Sequence, residues 1–185
     1  MPRKIKREVV FHNKRLAVTW KHDYFGPKSK KILDGVFLYD NIFSVYAFST
    51  SKIMSVQRDF AHKTCEKINT LISEYRVYLK EMEDELYTLT TGIELRPFTP
   101  NNHYPIDYNK EQLNPVNSAL IKAFAMANSH IINLNKARFD GDIDAGENER
   151  RRGGVIKQLN LLLNALYKIC RQYHKIRKEQ LATVA

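Results

Sequence analysis

Asp140, Asp142 and Asp144 stand at alternate positions in the run Asp140-Gly-Asp-Ile-Asp-Ala-Gly146, which is how a calcium loop begins. The match fails further on. The sixth position is Ala145, with the glycine one place late, and the twelfth, where a bidentate glutamate is needed, is Arg151. The run reads instead as an acidic lead into a helix, with Asp144, Glu147 and Glu149 favoured by the amide dipoles at its N-terminus. Arg150, Arg151 and Arg152 follow at once; they suit either those acids or a phosphate backbone, and Gly153-Gly154 beside them offers a hinge. The six histidines form no metal spacing with each other or with cysteine, and the chain has no Walker loop, no GxGxxG and no GxSxG. No enzyme, no metal and no cofactor is expected.

The chemistry the chain does advertise is charge. The net charge is +10 over 185 residues. Residues 1–31 carry ten Lys/Arg against Glu8 and Asp23, and residues 150–185 carry nine against Glu179. The middle, 32–149, carries eleven against seventeen acids. Two basic ends around an acidic middle point to a polyanionic partner, most often nucleic acid. An anionic membrane surface is disfavoured, because neither end is an evident lipid-binding helix. No apolar run approaches the roughly 20 residues of a membrane span, and the N-terminus lacks the apolar core of a signal peptide. A cytoplasmic protein is expected. Cys65 and Cys170 fall on apolar helical faces and read as reduced core thiols.

These residues must be positioned by a mainly helical chain, for glycine (7) and proline (6) are scarce. A short strand is expected near 7–12, preceded by residues 1–6 outside any element. A helix follows over 13–22, capped by Asn13 with Leu16, Ala17 and Trp20 on one side, and Gly26-Pro27 breaks it. The apolar stretch 34–48 predicts a helix buried nearly all round. From Ala61 through Cys65, Ile68, Ile72, Tyr75, Leu79, Met82 and Leu86 to Leu89, apolar residues alternate spacings of four and three. That seam predicts a long helix over about 55–90, packed partly within the chain and partly on a second chain. A link over 92–115 holds four prolines, with residues 92–95 a candidate strand. Asn114-Pro115 then opens a helix carrying Val116, Leu120, Ala123, Ala127, Ile131 and Leu134 on one face. A polar loop is expected over 139–149 and a last helix over 150–178, with Ile156, Leu159, Leu163, Leu166, Cys170 and Tyr173 on its core face. The expected division is a DNA-binding module over 1–50 and a helical extension over 51–185, packed as one unit.

A basic strand suits a two-stranded β-ribbon, which fits the DNA major groove and reads bases with alternate side chains. One chain supplies one such strand; a homodimer would supply two. If Val9 and Phe11 face the core, then Glu8, Val10 and His12 face DNA, and a one-residue slip reverses this. Arg7 joins the candidate base contacts. Arg3, Lys4, Lys6, Lys14, Arg15, Lys28, Lys30 and Lys31 are candidate phosphate contacts, and Arg150, Arg151 and Arg152 a second group.

The stretch VVFHNKRLAVTW resembles the opening of the AcaB-like proteins of conjugative plasmids and integrative conjugative elements. There a short strand leads into His-Thr-(Arg/Lys)-x-Ala-x-x-x-Trp. His12, Lys14 and Trp20 stand at the matching places, with Asn13 for the threonine and Leu16 for the small residue. The resemblance implies a dimeric ribbon-helix-helix transcriptional activator of conjugative transfer genes, with double-stranded DNA as ligand and RNA polymerase as a further partner. It places the strand through His12 in the groove and Lys14 near the backbone. The rival expectations are a non-specific structural or relaxosome accessory protein and a coiled-coil adaptor built on the Ala61–Leu89 seam.

Overall fold

The computed structural model describes residues 9–28, 32–52 and 55–184, with side chains described as far as Glu179. The strand β1 (Val10–Phe11) leads into α1 (Lys14–Trp20). Asn13 caps α1, its Oδ1 accepting from the Leu16 amide at 3.1 Å. The helix α2 (Gly35–Ser49) starts at Asp34, whose carboxylate accepts from the Phe37 amide at 2.8 Å. Next come α3 (Val56–Leu89), β2 (Tyr104–Pro105), a 3₁₀ turn (Lys110–Gln112), α4 (Pro115–Asp140) and α5 (Ala145–Val184). Asn114 caps α4 with Pro115 in its first turn, the pairing of residue types that pre-sets such a start.

The seam of α3 is the spine of the molecule. Ala61, Cys65, Ile68, Ile72, Tyr75, Leu79 and Leu86 are buried, whereas Leu89, at its end, is 45% exposed. Each of α2, α3, α4 and α5 contacts the other three, so the seam finds its partners inside the chain. The residues expected on the α4 face are all buried, and Leu159, Leu163, Leu166, Cys170 and Tyr173 of α5 close the same core. That core also takes Phe11, Leu16 and Trp20 from the N-terminal elements, joining the two expected divisions. Both cysteines are buried and unbridged. Burial pushes the Cys65 thiol up and the Cys170 thiol up to about 12.

Several boundaries differ from expectation. The polar loop foreseen over 139–149 shrinks to residues 141–144, because α4 runs to Asp140 and α5 begins at Ala145. Gly141, with φ +87°, ends α4 in the left-handed conformation, a stop written in one residue. Gly153-Gly154 is no hinge: both lie inside α5, which runs unbroken. Residues 92–95 form no strand, and the pairing segment of the link is β2. Nor is α2 buried all round, since Phe37 and Phe48 are 45% and 40% exposed. Its start has no room to spare: a Cβ on Gly35 would lie 2.6 Å from the Trp20 ring.

One tryptophan and two tyrosines from the N-terminal part of the chain donate to carbonyls of the link over 92–113. Trp20 Nε1 donates to Asp107 O at 3.1 Å, Tyr24 Oη to Pro105 O at 2.9 Å, and Tyr39 Oη to Asn109 O at 2.8 Å. Buried or half-buried aromatic rings thus bring their polar ends to backbone carbonyls of the link.

Candidate nucleic-acid interface

The strand expected to meet DNA is held from both sides. β1 pairs antiparallel with β2, Val10 opposite Pro105 and Phe11 opposite Tyr104. On its other edge the buried Asn128 of α4 takes the place of a strand. Its Oδ1 accepts from the His12 amide at 2.7 Å, and its Nδ2 donates to Val10 O at 3.4 Å. Phe11 is fully buried, stacked on Phe124, and Val9 packs against the core, which decides the face question raised by the alternation. Val10 and His12 occupy the other face, yet neither is a free reading residue. Val10 is half-buried, and the His12 ring Nδ1 lies 2.6 Å from Asn102 O, edge-on to His103. A ribbon shared with a second copy would have to release β2 or Asn128 over these residues.

The remaining candidates divide. Arg3, Lys4, Lys6, Arg7, Glu8, Lys30 and Lys31 lie outside the described residues. Lys14 and Lys28 are exposed, Lys14 with its Nζ 5.1 Å from the Phe25 ring centre. Arg15 is exposed but ion-paired to Glu149 at 3.4 Å. The arginine trio is taken up by acids. Arg150 and Arg151 converge on Glu147 with contacts of 2.6–2.8 Å. Their hydrogen bonds hold the Glu147 carboxyl down at about 2. Arg151 also reaches Glu85 at 3.4 Å, and Arg152 reaches Glu149 at 3.5 Å. Within the chain the acidic lead into α5 thus pairs with all three arginines, and Glu85 of α3 with one of them. Asp144 serves as a helix-capping residue, its Oδ1 accepting from the Glu147 amide at 2.7 Å. Among the described residues no group of three or more His, Cys, Asp or Glu could hold a metal.

The basic surface the structure assembles lies further along α5. Lys157, Leu161, Asn164, Lys168, Arg171, Lys175 and Lys178 follow one another at spacings of 4, 3, 4, 3, 4 and 3, and all are exposed. They run opposite the buried row of Leu159, Leu163, Leu166, Cys170 and Tyr173. From Lys157 to Lys178 the face extends about 32 Å at the α-helical rise, close to one turn of duplex DNA. After Glu149 the next acid on α5 is Glu179, which meets Lys175 at 3.8 Å. Lys157, Lys168, Arg171 and Lys178 make no ion pair among the described residues. The outer face of α3 is a contrast: Lys63, Lys67, Arg76 and Lys80 alternate with Glu66, Glu74, Glu81 and Asp84, a solvated surface of mixed sign. Beside the basic row of α5 stands Asn160, exposed, with a side-chain amide that bonds nothing among the described residues.

None of these α5 residues is among the candidates read from the sequence. The signal is nonetheless present there: basic residues at helical spacing, out of phase with the apolar row, in a segment of high net positive charge. Compared with known proteins, the chain matches no family model, and no curated protein and no solved structure is significantly similar to it. Among the described residues no helix is long and apolar enough to cross a membrane.

Proposed function

We propose that this chain binds double-stranded DNA along the outer face of α5 and acts as a sequence-specific transcriptional regulator. The observation that carries the proposal is the single-sign face from Lys157 to Lys178. A merely solvated helix interleaves acids, as α3 does; a helix facing phosphates excludes them, because each acid would be desolvated against like charge. Lysines and arginines position the helix on the backbone, and Asn160 offers the amide geometry that reads adenine. The basic residues Arg3, Lys4, Lys6 and Arg7, N-terminal to β1, add a second cationic segment to the same ligand. Control of conjugative transfer genes, and contact with RNA polymerase in the case of an activator, rest on the family resemblance alone.

A homodimer belongs to the same reading. The end of α3 and the link after it expose Tyr87 (79%), Ile93 (64%) and Leu95 (72%), apolar surface that a second copy would cover. The ribbon-helix-helix arrangement requires an exchange in β1; this apolar surface requires none.

The test is binding of the purified protein to pooled genomic fragments, with retained DNA sequenced and affinity followed against salt. The triple variant Lys168→Glu, Arg171→Glu, Lys175→Glu is expected to lose binding while keeping its helical circular dichroism. Each phosphate no longer neutralised lowers the log–log salt slope by about 0.9. Undiminished binding by that variant removes α5 from the interface. Retention of DNA without an enriched motif favours the structural accessory over the regulator.

A further inference from the structure

A cleft of about 440 Å³ lies between α4 and the segment 96–102, within the usual size range of small-ligand sites. Its composition is one-sided. Arg96, Arg138 and His12 line it, and no aspartate or glutamate does. Arg138 is exposed, and its guanidinium makes no hydrogen bond or ion pair among the described residues. Arg96 is pinned in place: its guanidinium lies 3.7 Å from the Phe139 ring centre, and its Nε donates to Phe139 O at 3.2 Å. Its Nη2 donates to the same carbonyl at 2.5 Å, which leaves Nη1 of Arg96 without a partner among the described residues. The apolar part of the wall is Phe98, tilted against Phe139 at 5.6 Å, with Ile131 and Ile132 of α4. Amides complete it. Asn135 Oδ1 is occupied by Asn148 Nδ2 at 3.2 Å, and the side chain of Asn101 makes no bond among the described residues.

An ordinary crevice beneath a surface link carries both signs of charge, as the neighbouring crevice with Glu83, Glu94, Lys136 and Asp140 does. Here two guanidiniums, one free and one pre-oriented, adjoin an aromatic wall and the unpaired side-chain amide of Asn101. Guanidinium forks match phosphate oxygens, aromatic faces match flat heterocycles, and asparagine amides match the edge of a purine. We propose that this cleft binds a purine nucleoside monophosphate, the phosphate on Arg138 and Arg96 and the base against Phe98 and Ile132. The proposal stands independently of DNA binding by α5. His12, which lines the cleft, is also the last residue of the stretch that Asn128 and β2 hold.

The experiment is calorimetric titration of the full chain with AMP and with GMP, alongside adenosine and inorganic phosphate. Isoleucine-methyl NMR reports where each probe sits. The expected result is one nucleotide per chain, with adenosine and inorganic phosphate each weaker by at least about tenfold, and shifts confined to Ile131 and Ile132. Arg138→Gln is expected to weaken AMP by at least about tenfold at unchanged circular dichroism, and Arg138→Lys to restore part of the loss. Because Arg138 is exposed, folding survives either change. No heat with AMP or GMP at millimolar concentration overturns the proposal. So does adenosine binding as tightly as AMP, inorganic phosphate binding as tightly as AMP, or wild-type affinity in Arg138→Gln. DNA binding measured on the same variants separates this result from the α5 reading.

Discussion

Asn128 decides more about β1 than any residue of β1 itself. A strand of two residues has too few ladder bonds to stand alone, and its outer edge must be satisfied by something. The Asn128 amide does this from α4, accepting from His12 and donating to Val10 as a neighbouring peptide would. Replacement by alanine leaves a donor and an acceptor unpaired in a part-buried place, at a cost of about 1–3 kcal/mol. Chemical denaturation of Asn128→Ala measures that cost, and amide hydrogen exchange at His12 localises it. A loss well below that range would mean water replaces the side chain. Glu147 plays a comparable part at the start of α5. Its carboxyl is held low by Arg150 first and Arg151 second, so it stays ionised far into acid, and its pairing is lost only as pH falls towards about 2. At Glu83, burial raises the carboxyl and the hydrogen bonds from His130 and Asn133 lower it; the bonds prevail.

At the scale of elements, α5 runs through two adjacent glycines that on propensity alone mark a break. Glycine in a helix interior costs roughly 0.5–1 kcal/mol relative to alanine. Here the helix is secured on both sides: acids and arginines pair across its first turns, and the buried row from Val155 onward docks on the core. A Cβ at Gly153 would meet nothing within 4 Å, and one at Gly154 only the Tyr78 hydroxyl at 3.7 Å. Gly153→Ala and Gly154→Ala are therefore expected to stabilise the protein by roughly 0.5–1 kcal/mol each, read from denaturant midpoints. Destabilisation by either would restore the hinge. The exposed phenylalanines of α2 have their own account. Phe37 meets Tyr167 at 6.1 Å between ring centres, and the Arg177 guanidinium covers Phe48 at 4.2 Å. Both contacts come from α5, which lays partly apolar, partly cationic side chains over α2.

For the whole molecule the issue is how much apolar surface is left once the core is closed. The α3 seam is spent inside the chain, so a dimer has to be built from elsewhere. If the exposed end of α3 and its link form that contact, light scattering at micromolar concentration reports a dimer. Tyr87→Asp with Leu95→Asp then yields a folded monomer. Dimerisation untouched by that pair but abolished with the β1 pairing would return the shared ribbon. The charge arrangement belongs to the same scale. Of the acids in the middle of the chain, Glu85, Glu147 and Glu149 pair with Arg150, Arg151 and Arg152, and Glu94 with Lys136, whereas Lys157, Lys168, Arg171 and Lys178 of α5 face outward. The basic excess of the C-terminal segment thus persists as one outward face of α5.

Helix positions were legible from the sequence because their signals are local. Asn13, Asn114-Pro115 and the alternating seam of α3 act within a turn or two, and α1, α3 and the start of α4 lie where those signals put them. The mainly helical class and the buried state of both thiols follow from the same periodicity. What lay beyond it depended on partners distant in the chain. No local pattern says that Asn128 bonds Val10 and His12, or that Tyr104 lies opposite Phe11. The arginine trio met its acids through two helical turns and Glu85 of another helix, where charge counting left both outcomes open. The basic face of α5 was legible in principle, its spacing being as regular as the apolar row behind it, but a cationic face means something only once the opposite face is known to be buried. The cleft at Arg138 was not legible at all. It exists because a proline-containing link of no fixed period is laid across α4, and only the packed chain determines where such a link lies.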